Sequence, residues 1–323
     1  MYVLDGVVDA GYFRGAYRDN IVIKFEKSFD KIEIKEQNTK FYFDSNSEIA
    51  KAAQANINQP ILSSEKIQAM TRDSTDSLGN GTKRYLIEAD GIFLSETLSQ
   101  IKPSKDPKAA PTDFSMGSLS SKKSKYLNLK NYPENTDVEV EYVYENSAPV
   151  NDGHLAVTSA RNISVKVRHS IIEMPENDFQ PRYDDPRVGY FLDQSTDQTT
   201  TSVIPYKDKI NRWNLVKKDS SALISEPVEP IVFWMENTTP LPLRPIIKEA
   251  VERWNLAFEA AGFKNAVICN IQPDTATWDA GDIRYNVIRW TASPKPPFGG
   301  YGPSFSNPRT GQILGADIML EWI

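Results

Sequence analysis

The sequence predicts an α+β protein, with an antiparallel β-rich domain over residues 1–205 followed by a mixed α/β sheet over 206–323. Three observations predict it. Runs that alternate apolar and polar side chains fill the first half, and no segment there is long and periodic enough to be a crossover helix. Past residue 206 an apolar run, an amphipathic helix and a second apolar run follow one another, the pattern of a crossover between parallel strands. Near the end, two β-rich runs flank Asn307-Pro308-Arg309-Thr310-Gly311, so they pair as a hairpin and one arm opposes the other strands.

Taken in order, NIVIKFEKS (20–28) and KIEIKE (31–36) alternate across a Phe-Asp turn, and KFYF (40–43) follows. SEIAKAAQANI (47–57) is an Ala-rich helix candidate with Ser47 as N-cap and no capping box. KRYLIEADGIFLSETL (83–98) reads as a strand, a glycine turn and a second strand. Residues 102–125, rich in Pro, Ser and Lys, read as a loop. DVEVEYVYE (137–145) places Val138, Val140, Tyr142 and Tyr144 on one face, and NISVKVRHSIIEM (162–174) does the same with Ile163, Val165, Val167 and His169. The two resemble a long antiparallel hairpin.

A Pro-rich connection, MPENDFQPRYDDPRVGYF (174–191), precludes regular structure. Its charged, aromatic stretch Arg182–Arg187 reads as a pinned loop, with Arg–Asp pairs fixing it, or as a binding patch. EPIVFWMEN (229–237) is an apolar strand. PLPLRPIIKEAVERWNLAFEAAGF (240–263) is a helix whose apolar stripe is Ile247, Val251, Trp254, Phe258 and Ala261, with Pro245 in the first turn and Gly262 at the stop. Lys248–Glu252 and Glu249–Arg253 are i,i+4 ion pairs on its wet face. AVICNI (266–271) and DIRYNVIRW (282–290) are two further strands, and GYGPSFS (300–306) and QILGADIML (312–320) are the hairpin arms.

Composition excludes more than it identifies. With 37 basic and 43 acidic residues the net charge is −6, which argues against a surface that tracks nucleic-acid phosphates. No run approaches the ~18 apolar residues of a membrane helix. The first residues, MYVLDGVVDAGYFRGAYRDN, lack the charged start and apolar core of a signal peptide, so compartment is not legible there. The single cysteine, Cys269, lies in an apolar run and reads as core rather than as a nucleophile. The N-x-S/T triplets at Asn80, Asn162 and Asn237 are expected by chance.

PIVFWMENTTP, AVERWNLAFEAAGFKNA, DIRYNVIRW and YGPSFSNPRTGQILGADIMLE closely resemble a group of large bacterial zinc-dependent metallopeptidases of the metzincin type. In these a β-rich upstream region of uncharacterised role precedes the catalytic domain. Residues 174–191 and 124–142 resemble that upstream region. The resemblance implies a zincin-like sheet over 206–323, zinc as cofactor of the full-length parent, and hydrolysis of a peptide or protein substrate by metal-activated water. It also implies an exported location.

Such enzymes hold zinc on a helix carrying H-E-x-x-H, and this sequence has none. Its two histidines are His154, after the turn Asn151-Asp152-Gly153, and His169, on a strand with the parity of Val165 and Val167. Both read as structural or surface residues. The chain therefore reads as a piece truncated before the zinc-binding helix. No catalytic residue, no metal ligand and no bound zinc are expected in it, and its partner is the missing C-terminal part of the same polypeptide. Met319, Leu320, Trp322 and Ile323 are expected to be partly exposed. The resemblance makes the arm Gly300, Tyr301, Gly302, Pro303, Ser304 and Phe305 the edge along which substrate adds as a strand; the same glycines also suit a tight loop. The alternative is a non-catalytic scaffold that binds a protein or glycan on a zincin-like fold.

Overall fold

The computed structural model describes residues 1–5, 20–72, 83–102, 108, 110–153, 156–293 and 299–322. Asn80, His154 and Ile323 lie outside these. Two compact units interleave along the sequence. One takes Met1–Leu129, Val138–His169 and Asp197–Val203; the other takes Lys130–Asp137, Ser170–Thr196 and Ile204–Ile323. No helix among the described residues is long and apolar enough to cross a membrane.

Up to Ile172 the strands are β1 (Tyr2–Asp5), β2 (Val22–Ser28), β3 (Lys31–Gln37), β4 (Phe41–Tyr42), β5 (Ile61–Arg72), β6 (Lys83–Ile87), β7 (Ser118–Leu119), β8 (Lys125–Asn131), β9 (Asn135–Glu145) and β10 (Asn162–Ile172). Strands β2, β3, β5 and β6 make one antiparallel sheet. Ser28 pairs with Lys31, so Phe29 and Asp30 are the turn, and Phe29 adopts φ 52 there. A second sheet has the order β1-β10-β9-β7, with β8 also on β9. The period of two turns Val138, Val140, Tyr142 and Tyr144 inward to join Ile163, Val165 and Val167 in one buried cluster. Each such side chain is worth about 1.5–3 kcal/mol when fully buried.

Where a second strand was expected within 83–98, the chain instead forms the short helix α2 (Asp90–Phe93), after α1 (Ala50–Gln54). The reason lies in side chains that compete for backbone groups. Ser95 Oγ donates to the Gly91 carbonyl at 2.6 Å. The Glu96 carboxylate accepts from the amides of Ile101 and Lys102 at 3.0 and 2.6 Å, and from the Tyr144 hydroxyl at 2.9 Å. These bonds fold the segment into a loop.

Further along come β11 (Leu192–Asp193), β12 (Thr196–Asp197), β13 (Lys209–Ile210), β14 (Ile231–Met235), α3 (Arg244–Glu252), α4 (Asn255–Ala260), β15 (Val267–Ile271), β16 (Asn286–Thr291), β17 (Gly300–Tyr301), β18 (Ser304–Ser306) and β19 (Ile313–Glu321). The sheet order is β15-β14-β16-β19-β17, with β18 also on β19. Strands β14, β15, β16 and β19 are parallel, and β17 and β18 run antiparallel to β19 on its outer side, as a closing hairpin requires. The hairpin turns at Gly311, whose φ of +79° and whose approach to the Ile210 carbonyl leave no room for a side chain. On one face Met235, Cys269 and Ile288 form a core with Phe233, Ile247, Val251, Ile318 and Leu320.

Two expectations need correction. The single helix over 240–263 is broken: a 3₁₀ turn at Leu241–Leu243 leads into α3, and Arg253–Trp254 separate α3 from α4. Trp254 is 65% exposed rather than part of the inner stripe. Met319 is buried by its neighbours on β16 and β17, and Trp322 carries the exposure expected near the end.

Candidate functional site

The antiparallel flank of the parallel sheet is short and interrupted. Gly300 and Tyr301 pair with Leu320 and Met319. Ser304 and Phe305 pair with Ala316 and Gly315, and the register shifts before Ser306 meets Ile313. Between them Gly302 and Pro303 leave the ladder, though the Pro303 carbonyl still accepts the Asp317 amide at 3.2 Å. A Cβ on Gly302 would make only ordinary contact, 3.7 Å from Ile318, and one on Gly300 would sit 3.3 Å from the Met319 carbonyl. The structure thus brings the six expected edge residues onto one flank.

The face of this sheet away from α3 carries buried charged groups among apolar ones, which alternation along a run as apolar as QILGADIML did not suggest. Asp317, Met319 and Glu321 alternate inward on β19, and Asp317 is the register partner of Val287, two residues before Arg289. Arg289 is 4% exposed. Its guanidinium donates to the Ala280 carbonyl at 2.9 Å and reaches Asp317 at 3.4 Å, with Glu236 at 3.9 Å. Glu321 accepts from the Ser293 hydroxyl at 3.0 Å and from its amide. A buried cation met by carboxylates and a carbonyl fixes geometry more than it adds stability.

A second polar cluster ties the segment at 130–137 to the loop before β16. Asp279 accepts from Lys130, from the Tyr132 hydroxyl at 2.9 Å and from the Gly281 amide at 2.7 Å. Burial alone raises the Asp279 carboxyl, but these donors hold it below the usual carboxylate range. Asn135, 4% exposed, donates to the Gly281 carbonyl and to Asp137, both at 2.8 Å, and accepts the Ile283 amide at 3.1 Å. Asn135→Ala is expected to cost about 2–4 kcal/mol, because it strands buried partners on two segments. Chemical denaturation measures the loss, and faster amide exchange at Ile283 locates it.

A polar cleft of about 360 Å³ opens beside these groups, at the amino ends of β14, β16 and β19. Glu134, Glu173 and Glu229 line it, with no lysine or arginine among the described lining residues, so these carboxylates disfavour anions there.

The remaining sequence candidates fall into place. Cys269 is buried in the core of the parallel sheet, and burial raises its thiol. His169 is buried against the Tyr142 hydroxyl at 2.9 Å. Arg182–Arg187 is pinned: Ile210 donates to the Arg182 carbonyl at 2.9 Å, Asp184 to the Asp208 carbonyl at 3.0 Å, and Arg187 pairs with Asp185. Among the described residues no group of three His, Cys, Asp or Glu is placed to hold a metal ion.

Residues 15–218, nearly two thirds of the sequence, match a family described as Domain of unknown function (DUF5117). The chain belongs to the DUF5117 family. No curated protein and no protein of solved structure matches it. The DUF5117 span ends before β14, so the parallel sheet lies wholly outside it. Yet Lys130, Tyr132 and Asn135 belong to that span and bond to Asp279, Gly281 and Ile283 beyond it. The DUF5117 span therefore supplies part of the unit that carries the sheet.

Proposed function

We propose that residues 229–321 are the leading part of a metzincin-type zinc peptidase domain, with the DUF5117 span as its upstream region in one polypeptide. The observation that carries this reading is the sheet, four parallel strands bounded on one side by a single antiparallel flank. The sequence blocks that resemble such peptidases fall on its strands, on the end of α3 and on α4. On this reading a peptide adds along Gly300–Phe305 as a further strand, held by backbone hydrogen bonds. Pro303 has no N–H, and its carbonyl is turned to the Asp317 amide, so it tolerates an edge and breaks the ladder there.

Among the described residues no side chains are grouped to hold zinc. The imidazole of His169 is committed to Tyr142 in a buried site, and Cys269 is buried in the sheet core, where burial raises its thiol. The metal and the water it activates belong, on this reading, to sequence outside these 323 residues, and no catalytic step is assigned to this chain.

Calorimetric titration of the 323-residue chain with zinc is expected to give no stoichiometric site. The polypeptide carried forward along its reading frame is expected to contain H-E-x-x-H, to take up zinc and to cleave peptides. An extended chain that folds and takes up no zinc overturns the reading and favours a non-catalytic scaffold for a protein or glycan.

A further inference from the structure

The antiparallel flank has two unlike faces. Its register is unbroken from Gly300 to Ser304: Gly300 faces Leu320, Tyr301 faces Met319 and Ser304 faces Ala316. The Gly299 carbonyl accepts the Glu321 amide at 3.0 Å, and the Pro303 carbonyl the Asp317 amide at 3.2 Å. Alternation then turns the backbone groups of Gly300, Gly302 and Ser304 away from β19. All three residues are exposed. Their N–H and C=O groups form an open edge onto which an extended peptide can pair.

One face of that edge is nearly bare of side chains. Gly300 and Gly302 share it with Leu320 and Ile318: a Cβ on Gly302 would lie 3.7 Å from Ile318 Cγ1, and one on Gly300 would lie 3.6 Å from Leu320 Cδ2. Ile318 and Leu320 are half-buried, packed at the margin of the Met235, Cys269 and Ile288 core. The opposite face is occupied by the flank itself, where Tyr301, Pro303 and Phe305 alternate on the side of buried Met319. A glycine at a sheet edge leaves its own backbone and the next strand's side chains uncovered. A large side chain directly across on the neighbouring strand covers both, and aromatic residues do so best.

We infer that this flank selects extended peptides by large apolar side chains, aromatic above all, at two positions spaced i and i+2, one opposite Gly300 and one opposite Gly302. Directly opposed residues of paired strands place their side chains on the same face, whichever way the peptide runs. The two large side chains therefore lie over the glycines and reach Leu320 and Ile318. The residue between them turns to the face that Tyr301 and Pro303 already occupy. The inference rests on strand addition at this flank, as proposed above, and adds to it the substrate class.

The test titrates the 323-residue chain with three end-blocked hexapeptides, read by the backbone amide signals of Gly300, Gly302 and Ser304. The first carries phenylalanine at its second and fourth positions on a threonine background. The second has the same composition with the two phenylalanines adjacent, and the third has alanine in place of both. The alternating peptide is expected to shift these amides and to bind about tenfold more tightly than either of the others. In Gly302→Val, whose Cβ fills the space beside Ile318 at ordinary contact distance, the three dissociation constants are expected to fall within about threefold of one another. If Gly302→Val does not fold, the three peptides on the unsubstituted chain decide alone. Peptides that shift the three amides without preference, or a preference that survives Gly302→Val, overturn the inference and leave strand addition standing. If no peptide shifts these amides, strand addition at the flank fails and the inference fails with it.

Discussion

Gly117→Ala is expected to cost about 4 kcal/mol or more, or to abolish folding of the first unit. Gly117 precedes β7, whose Ser118 and Leu119 pair with Glu145 and Tyr144 of β9. A Cβ at 117 would lie 1.8 Å from the Glu145 carbonyl oxygen, 2.1 Å from its carbon and 2.6 Å from the Asn146 nitrogen. All three are backbone atoms, so no rotamer change relieves the overlap. Either β7 leaves β9, or β9 bends where Tyr144 is buried and bonded to Glu96. Leaving would also disturb Met116 and Leu119, which pack in the same cluster, and the 2.8 Å bond from Lys102 to the Gly117 carbonyl. Gly189→Ala is the control: nothing lies within 4 Å of its added Cβ, so it is expected to change stability by less than about 1 kcal/mol. Urea unfolding followed by tyrosine fluorescence measures both. If the two variants unfold at the same midpoint, β7 does not lie against β9 as described.

That contact shows what the sequence could and could not convey. The alternation along DVEVEYVYE specifies which side chains of β9 are buried, because a period of two leaves only one face for the apolar set. It says nothing of which backbone passes within van der Waals distance of a distant glycine. The Phe29-Asp30 turn, the parallel strands around α3 and the reversed outer hairpin were all legible, since each rests on residues close in sequence. The break at Arg253–Trp254 was not. The apolar stripe from Ile247 to Ala261 fits one uninterrupted helix, and the interruption falls beside Asn255, a poor helix former whose amide is committed to Val267 on another strand. The buried ion pair on the sheet was hidden for the same reason: Arg289 and Asp317 are unremarkable alone, and only the β16–β19 register brings them together. The Gly300–Phe305 flank was reached through resemblance, and no periodicity in GYGPSFS would have singled it out.

Stability is expected to fall as pH drops from about 6.5 toward 3, with His169 contributing a slope that approaches about 1.4 kcal/mol per pH unit. His169 is 4% exposed on β10. Its Nε2 lies 2.9 Å from the Tyr142 hydroxyl, which itself donates to the Phe93 carbonyl at 2.6 Å, so the imidazole is the donor and is satisfied as the neutral ring. The Phe93 ring packs edge-on against it, with centroids 5.8 Å apart. Burial is the main cause that pushes its pKa down to about 3, and the N-terminal ammonium adds to it. Burial, then the charge of Glu96, raises the Tyr142 hydroxyl, so the tyrosine stays protonated and cannot accept the imidazole's charge. Above pH 7 both folded and unfolded chains hold the ring neutral and the contribution is flat. Below 6.5 the unfolded chain takes up a proton that the folded chain refuses, which favours unfolding. Across the window the difference amounts to roughly 4–5 kcal/mol. Carboxylates held low in the folded state, such as Asp279 and Glu252, lose stability over an overlapping acid range, so the total curve does not isolate the histidine. His169→Gln does, because glutamine keeps an N–H donor toward Tyr142 and has no charge to gain. Unfolding free energies from pH 4 to 8 are expected to converge toward those of the variant as pH falls, with a difference slope of nearly one proton below 6. Parallel curves would mean that His169 titrates alike in both states and is not sealed beneath Phe93 and Tyr142.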